Sequence, residues 1–155
     1  MAMENKTKAA LKDFIVGLRH VGHIVDDLKA SVADFRRIYG LTDGDITILP
    51  PFGQEAPARF GLLDVGGVEF ELIEPISDDM KAILHSAASG AGGINHVAYV
   101  VNDIDGALAV LAEQGIRPGH VTPDGVVDTG RTRIAYLNPS DTGDMLIELV
   151  EVYGQ

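Results

Sequence analysis

The chain contains an internal repeat. "GLRHVGHIVDDLKASVADFRRIYGL" (Gly17–Leu41) and "GGINHVAYVVNDIDGALAVLAEQGI" (Gly92–Ile116) share one plan: a histidine near the start of a β-rich run, an acidic cap, an amphipathic helix and a glycine. The two histidines, His20 and His96, lie 96 − 20 = 76 residues apart. Such a duplication restricts the fold to two copies of one module, and a pseudo-twofold arrangement of them brings equivalent positions toward a common centre.

Each copy extends beyond its helix. In the first, Asp26 or Asp27 offers a carboxylate to the free N–H groups of a helix start. Leu28, Val32, Phe35 and Tyr39 then form one apolar stripe. Gly40 supplies the left-handed C-cap that most residues resist. In the second, Asp103 caps, Ile104, Leu108 and Leu111 form the stripe, and Gly115 ends it. Short β segments follow: "DITIL", "ARFGLLDV" and "VEFELIEP" in the first copy, then a weak strand near "IRPGHV", "RTRIAYLN" and "MLIELVEV" in the second. Each half therefore reads β-α-β-β-β, and the fold class is α+β.

The reading divides the chain into an N-terminal helical extension (1–17, with the helix over Lys6–Phe14), module one (18–75), a linker (76–93) and module two (94–152). Within the linker "SDDMKAILHSAA" is a short helix and "SGAGG" a flexible hinge. That hinge follows no strand and lacks the Lys-Ser/Thr ending of a phosphate loop.

At 155 residues the chain suits a single domain with a substantial core. A formal charge of −11, with only 12 Lys and Arg, argues against a nucleic-acid partner. Its apolar runs are too short to span a bilayer, and its start lacks the features of a signal peptide. The absence of cysteine removes thiolate ligands, disulfides and a cysteine nucleophile together, which is compatible with a cytoplasmic protein.

Side-chain alternation identifies the chemistry. His20 shares its strand face with Gly22 and Ile24, and His96 shares its face with Ala98 and Val100, so each histidine stands beside a small residue. His23, His85 and His120 lack a histidine partner in the repeat and take structural or surface roles. Among the acids, Glu71 in "FELIE" aligns with Glu148 in "IELVE", 148 − 71 = 77 residues on. Glu148 sits among five apolar neighbours in "MLIELV", a costly place for a carboxylate unless it is paired or bound to a cation. Two neutral imidazoles and two carboxylates balance a divalent ion and supply mixed N/O ligation. His20, Glu71, His96 and Glu148 are thus the expected metal ligands. Co, Mn, Ni, Zn or Fe would suit such a set.

These stretches, with "RIAYLNPSDTGDMLIELVE", resemble the vicinal oxygen chelate superfamily over Leu18–Val152. Within it they are most similar to the methylmalonyl-CoA epimerases. The resemblance implies an open cavity built from two βαβββ modules, the same four ligand positions, an acyl-CoA thioester as small-molecule substrate, and a homodimer. It implies an isomerase that removes a proton beside a carbonyl through a metal-stabilised enolate. Glu148 would serve as ligand and base, and Glu55, in "PPFGQEAPARF", as the opposite base. Two departures stand out. Epimerases usually carry Gln where this chain has Glu71, which matches the ligand set of bacterial glyoxalase I, a lactoylglutathione lyase. They often carry His-Pro-Lys where it has Asn138-Pro139-Ser140. Arg59, Arg131, Arg133 and Lys81 remain as candidate anion contacts. The alternatives are a glyoxalase I-like enzyme, a metabolite- or antibiotic-binding protein of the same fold, or an extradiol dioxygenase.

Overall fold

The computed structural model describes residues 8–86 and 92–154. The first repeat forms β1 (Ile15–Ile24), α1 (Leu28–Tyr39), β2 (Ile46–Leu49), β3 (Ala58–Val65) and β4 (Val68–Pro75). After α2 (Asp78–His85), the second forms β5 (Gly93–Val101), α3 (Ile104–Ala112), β6 (Val127–Asp128), β7 (Thr132–Tyr136) and β8 (Ile147–Val152). All eight strands join one sheet in the order β2-β3-β4-β1-β5-β8-β7-β6. Exchanging each strand for its repeat counterpart reverses this order and leaves it unchanged. The pseudo-twofold therefore runs between β1 and β5, which pair antiparallel, while β1–β4 and β5–β8 pair parallel.

Both module helices pack on one face of the sheet. Leu28 and Val32 of α1 meet Leu63 and Leu72, and Ile104, Ala107 and Leu111 of α3 meet Ala135 and Leu149. Burying a leucine such as Leu28, fully enclosed here, contributes about 1.5–3 kcal/mol. The stripe of α1 ends at its last turn, where Tyr39 is half exposed and leans on Phe35 with ring centroids 5.4 Å apart. Gly40 takes the left-handed conformation (φ 69°) and closes α1 as its sequence position suggests.

The helix starts repeat in detail. Asp27 accepts from the Ala30 N–H and Asp103 from the Gly106 N–H, each at 3.0 Å. A second carboxylate reaches each start from the sheet: Glu74 accepts from the Leu28 N–H and Glu151 from the Ile104 N–H, both at 2.7 Å. The glutamate that closes each "ELxE" segment is thus a helix cap. Its negative charge sits where the helix dipole favours it.

Three local expectations change. In place of a helix over Lys6–Phe14, the described part from Lys8 onward contains one 3₁₀ turn, Leu11–Asp13, and β1 already begins at Ile15. So short a segment has little to offset helix nucleation. Leu11, Phe14 and Ile15 instead pack against the core beneath α3. The weak strand near "IRPGHV" reduces to an isolated bridge from Pro118 to Leu137, and the edge strand β6 forms later, at Val127–Asp128. α3 stops at Ala112, ahead of Gly115. The linker helix is present, with Ser77 accepting from the Met80 N–H at 3.2 Å. The hinge expected at "SGAGG" falls largely within residues 87–91, outside the described residues.

Candidate metal centre

Two rows of side chains cross the centre of the sheet on the face away from α1 and α3. In one row Glu71 on β4 pairs with Gly22 on β1, which pairs with His96 on β5. In the other, Glu148 on β8 pairs with Ala98 on β5, which pairs with His20 on β1. Each row places a histidine and a glutamate on either side of a small residue. Facing side chains in adjacent strands project to the same side, so both pairs meet over the β1–β5 junction.

The four expected residues converge there. His20 Nε2 is 2.9 Å from His96 Nε2, and Glu148 Oε2 lies 3.1 Å from the first and 3.2 Å from the second. Glu71 Oε2 is 3.8 Å from His20 Nε2. Donor atoms of His20, Glu71 and His96 all fall within 4.8 Å of one another. His20, His96 and Glu148 are buried.

The donor set fits a divalent cation on three further grounds. Glu148 Oε2 is buried without a hydrogen-bond partner among the described residues, although both imidazole Nε2 atoms stand close to it. An orphaned carboxylate oxygen is expensive, and a cation would satisfy it. His96 Nδ1 lies 2.9 Å from Asn95 Oδ1; donating its proton there leaves the Nε2 lone pair directed at the cluster. Ligand atoms about 3 Å apart are the spacing of neighbouring corners around an ion with bonds of about 2.1 Å.

The same packing perturbs protonation. Burial alone would raise Glu148, but the two imidazoles outweigh it and hold its carboxyl at about 2. Glu71 is raised by burial, an effect the imidazoles only partly offset. Burial lowers His20, yet Glu148, Glu71 and Glu69 together leave it above its ordinary value. Tyr136, directly across from Glu148 on β7, is raised by burial and by the nearby carboxylates, so it stays a neutral phenol. Its ring stands edge-on to His96, centroids 5.3 Å apart.

A cavity of about 380 Å³ opens over the cluster. His20, Glu71, Glu148 and Tyr136 line it, with an apolar wall that includes Phe60, Ile73, Met80 and Ile134. Glu55 is not brought to this cavity. It is exposed on the loop between β2 and β3 and lines a separate depression with Gln54, Arg59 and Ser77. His23 faces the helix side, against Phe35. Neither His85 nor His120 lines the cavity.

The anion candidates resolve differently from expectation. Arg133 is held by both oxygens of Asp105 and is 3.5 Å from Glu151. Arg59 donates to the carbonyls of Pro50 and Gln54. Arg131 and Lys81 are exposed and line no part of the cavity. Arg19, which strict strand alternation assigns to the opposite face from His20, does line it. No residue pattern within β1 alone signals this, because the displacement comes from the pairing of β1 with β5.

The profile of the Glyoxalase/Bleomycin resistance protein/Dioxygenase superfamily matches residues 19–136. The mitochondrial methylmalonyl-CoA epimerase of Bos taurus is 28% identical over 132 residues, 85% of this chain and 72% of the relative. The ethylmalonyl-CoA/methylmalonyl-CoA epimerase of Cereibacter sphaeroides is 28% identical over 142 residues, 87% and 97% of the two chains. Among solved structures, the methylmalonyl-CoA epimerase of Mycobacterium tuberculosis superposes with a TM-score of 0.68 at 25% identity, covering 96% of this chain and 93% of that one. A variant of the Streptomyces coelicolor methylmalonyl-CoA epimerase in complex with 2-nitronate-propionyl-CoA gives 0.66 at 25% identity, covering 90% and 99%.

Proposed function

The chain belongs to the glyoxalase/bleomycin resistance protein/dioxygenase superfamily, and from that premise we propose that it is a metal-dependent epimerase of the methylmalonyl-CoA type. The observation that carries this reading is the buried meeting of His20, His96 and Glu148, with Glu71 beside them, in a cavity of small-molecule size. The epimerases among its relatives, two of them 28% identical over most of this chain, support the substrate class. The sequence reading adds a cytoplasmic location, and the resemblance a homodimer.

His20, Glu71, His96 and Glu148 would hold the ion. A divalent cation bound there supplies Lewis-acid stabilisation of the negative charge that develops on the thioester oxygen as the α-proton leaves. The rest falls to the chain itself. Epimerisation needs a proton removed from one face of the α-carbon and another delivered to the opposite face, hence two bases. Glu148 would act on one face, its carboxylate kept ionised by the imidazoles of His20 and His96. Glu55 would act on the other, a role the resemblance assigns it; the structure leaves it outside the cavity, on the exposed loop before β3. The apolar wall limits water around the reacting carbon.

Incubation with methylmalonyl-CoA in heavy water tests the reading. Deuterium should enter the α-carbon, and a chelator should stop it; failure of the metal-loaded protein to exchange any 2-substituted malonyl-CoA would reject it. A glyoxalase I-like isomerase is the second reading, favoured by an acid rather than an amide at Glu71. Thioester absorbance rising with methylglyoxal and glutathione would support that alternative.

A further inference from the structure

We propose that Arg19 recognises the free carboxylate on the substrate's acyl group. This rests on the epimerase reading for the identity of the substrate, but the placement of Arg19 is independent of it. Leu18 pairs with Tyr99, and the next paired residue on β1 is His20, opposite Ala98. One step on β5 thus corresponds to two on β1, and Arg19 is the extra residue of a β-bulge. A bulge breaks the alternation of the strand and re-aims a side chain, which brings Arg19 to the same cavity as His20.

Charge makes this placement consequential. Glu69, Glu71 and Glu148 line the cavity, whereas Arg19 is the only Arg or Lys lining it among the described residues. Many other cations are engaged: Lys8 with Glu113, Arg36 with Asp43, Arg37 with Asp34, and Arg133 with Asp105. Arg19 has no ion-pair partner among the described residues and is exposed at the rim. A dicarboxylate-derived acyl group entering past three glutamates meets repulsion that a planar guanidinium with paired donors is suited to offset. The acyl group is also the relevant anion. It must reach the cluster next to Arg19, while the phosphates of a CoA ester remain a full pantetheine arm away.

Calorimetric binding of methylmalonyl-CoA and of propionyl-CoA, which lacks the acyl carboxylate but keeps every phosphate, tests the assignment. The metal-loaded wild type, Arg19→Gln and Arg19→Lys are compared, with solvent exchange at the α-carbon measured separately. Arg19→Gln should weaken methylmalonyl-CoA binding about tenfold or more, the scale of a lost hydrogen bond to a charged group. Propionyl-CoA binding should be unchanged, and Arg19→Lys should recover part of the loss. Equal weakening of both ligands, no weakening of either, or a wild type that binds both alike or neither overturns the proposal. Carboxylate-dependent binding without exchange leaves Arg19 in this role and rejects the epimerase reading. Normal exchange with an indifferent Arg19→Gln does the reverse.

Discussion

Gly22 stands directly across the β1–β5 pair from His96, and a β-carbon on it would lie 2.1 Å from the imidazole Cε1. The small residue two places after His20 therefore makes room for the other histidine. Ala98, two places after His96, returns the arrangement by standing opposite His20. Because His96 is 2% exposed, its ring has little space to retreat. Gly22→Ala should cost about 1–3 kcal/mol of overpacking. It should also weaken metal binding at least tenfold by displacing Nε2. Thermal unfolding and metal titration of the same sample check both; metal affinity equal to wild type would contradict the stated geometry.

His20 predicts how the metal-free protein responds to pH. Burial lowers its pKa and the three glutamates raise it by more, leaving it above the ordinary 6.5. The stabilisation by protonated His20 is therefore complete below 6.5 and is lost as pH rises through the higher folded value. A metal needs the neutral imidazole, so its affinity should increase over the same range with release of protons. The difference in melting temperature between metal-free wild type and His20→Gln should shrink as pH rises past neutrality. A difference that grows with pH would contradict the sign.

The repeated acids separate by role. Glu74→Ala removes a cap from the start of α1 and should cost about 1 kcal/mol, leaving metal stoichiometry unchanged. Glu148→Ala should abolish tight metal binding. Chemical denaturation and metal content measured on both variants distinguish a helix cap from a ligand.

Glu55 has a stereochemical test. With one base on each face, Glu55→Gln should still exchange the α-proton of one methylmalonyl-CoA epimer with solvent, while interconversion falls about a hundredfold or more. Chiral analysis alongside deuterium incorporation reads both. Unimpaired interconversion would remove Glu55 from the mechanism and accord with its position outside the cavity.

The convergence of the four candidate residues was legible because duplication doubled a weak signal. A histidine or a glutamate in a strand carries little information alone, but matched pairs beside small residues describe a symmetric site. The row geometry was not legible: that Gly22 lies between Glu71 and His96 depends on the strand order β4-β1-β5. Glu74 and Glu151 could be assigned to the opposite faces, but their helix partners are tertiary contacts over 46 and 47 residues of chain. Arg19 escaped because period-two alternation assumes an unbroken ladder, and the bulge shifts it. The second edge strand was misplaced because two residues, Val127 and Asp128, are too few for any periodicity.

The most direct test is the metal content of freshly purified protein beside its His96→Ala and Glu148→Ala variants. We predict a single divalent ion per chain in the wild type and little or none in either variant, with folding retained. A metal-free wild type that also fails to take up Co, Mn, Ni, Zn or Fe, or a His96→Ala protein that binds them as tightly, would contradict the centre on which the proposed chemistry depends.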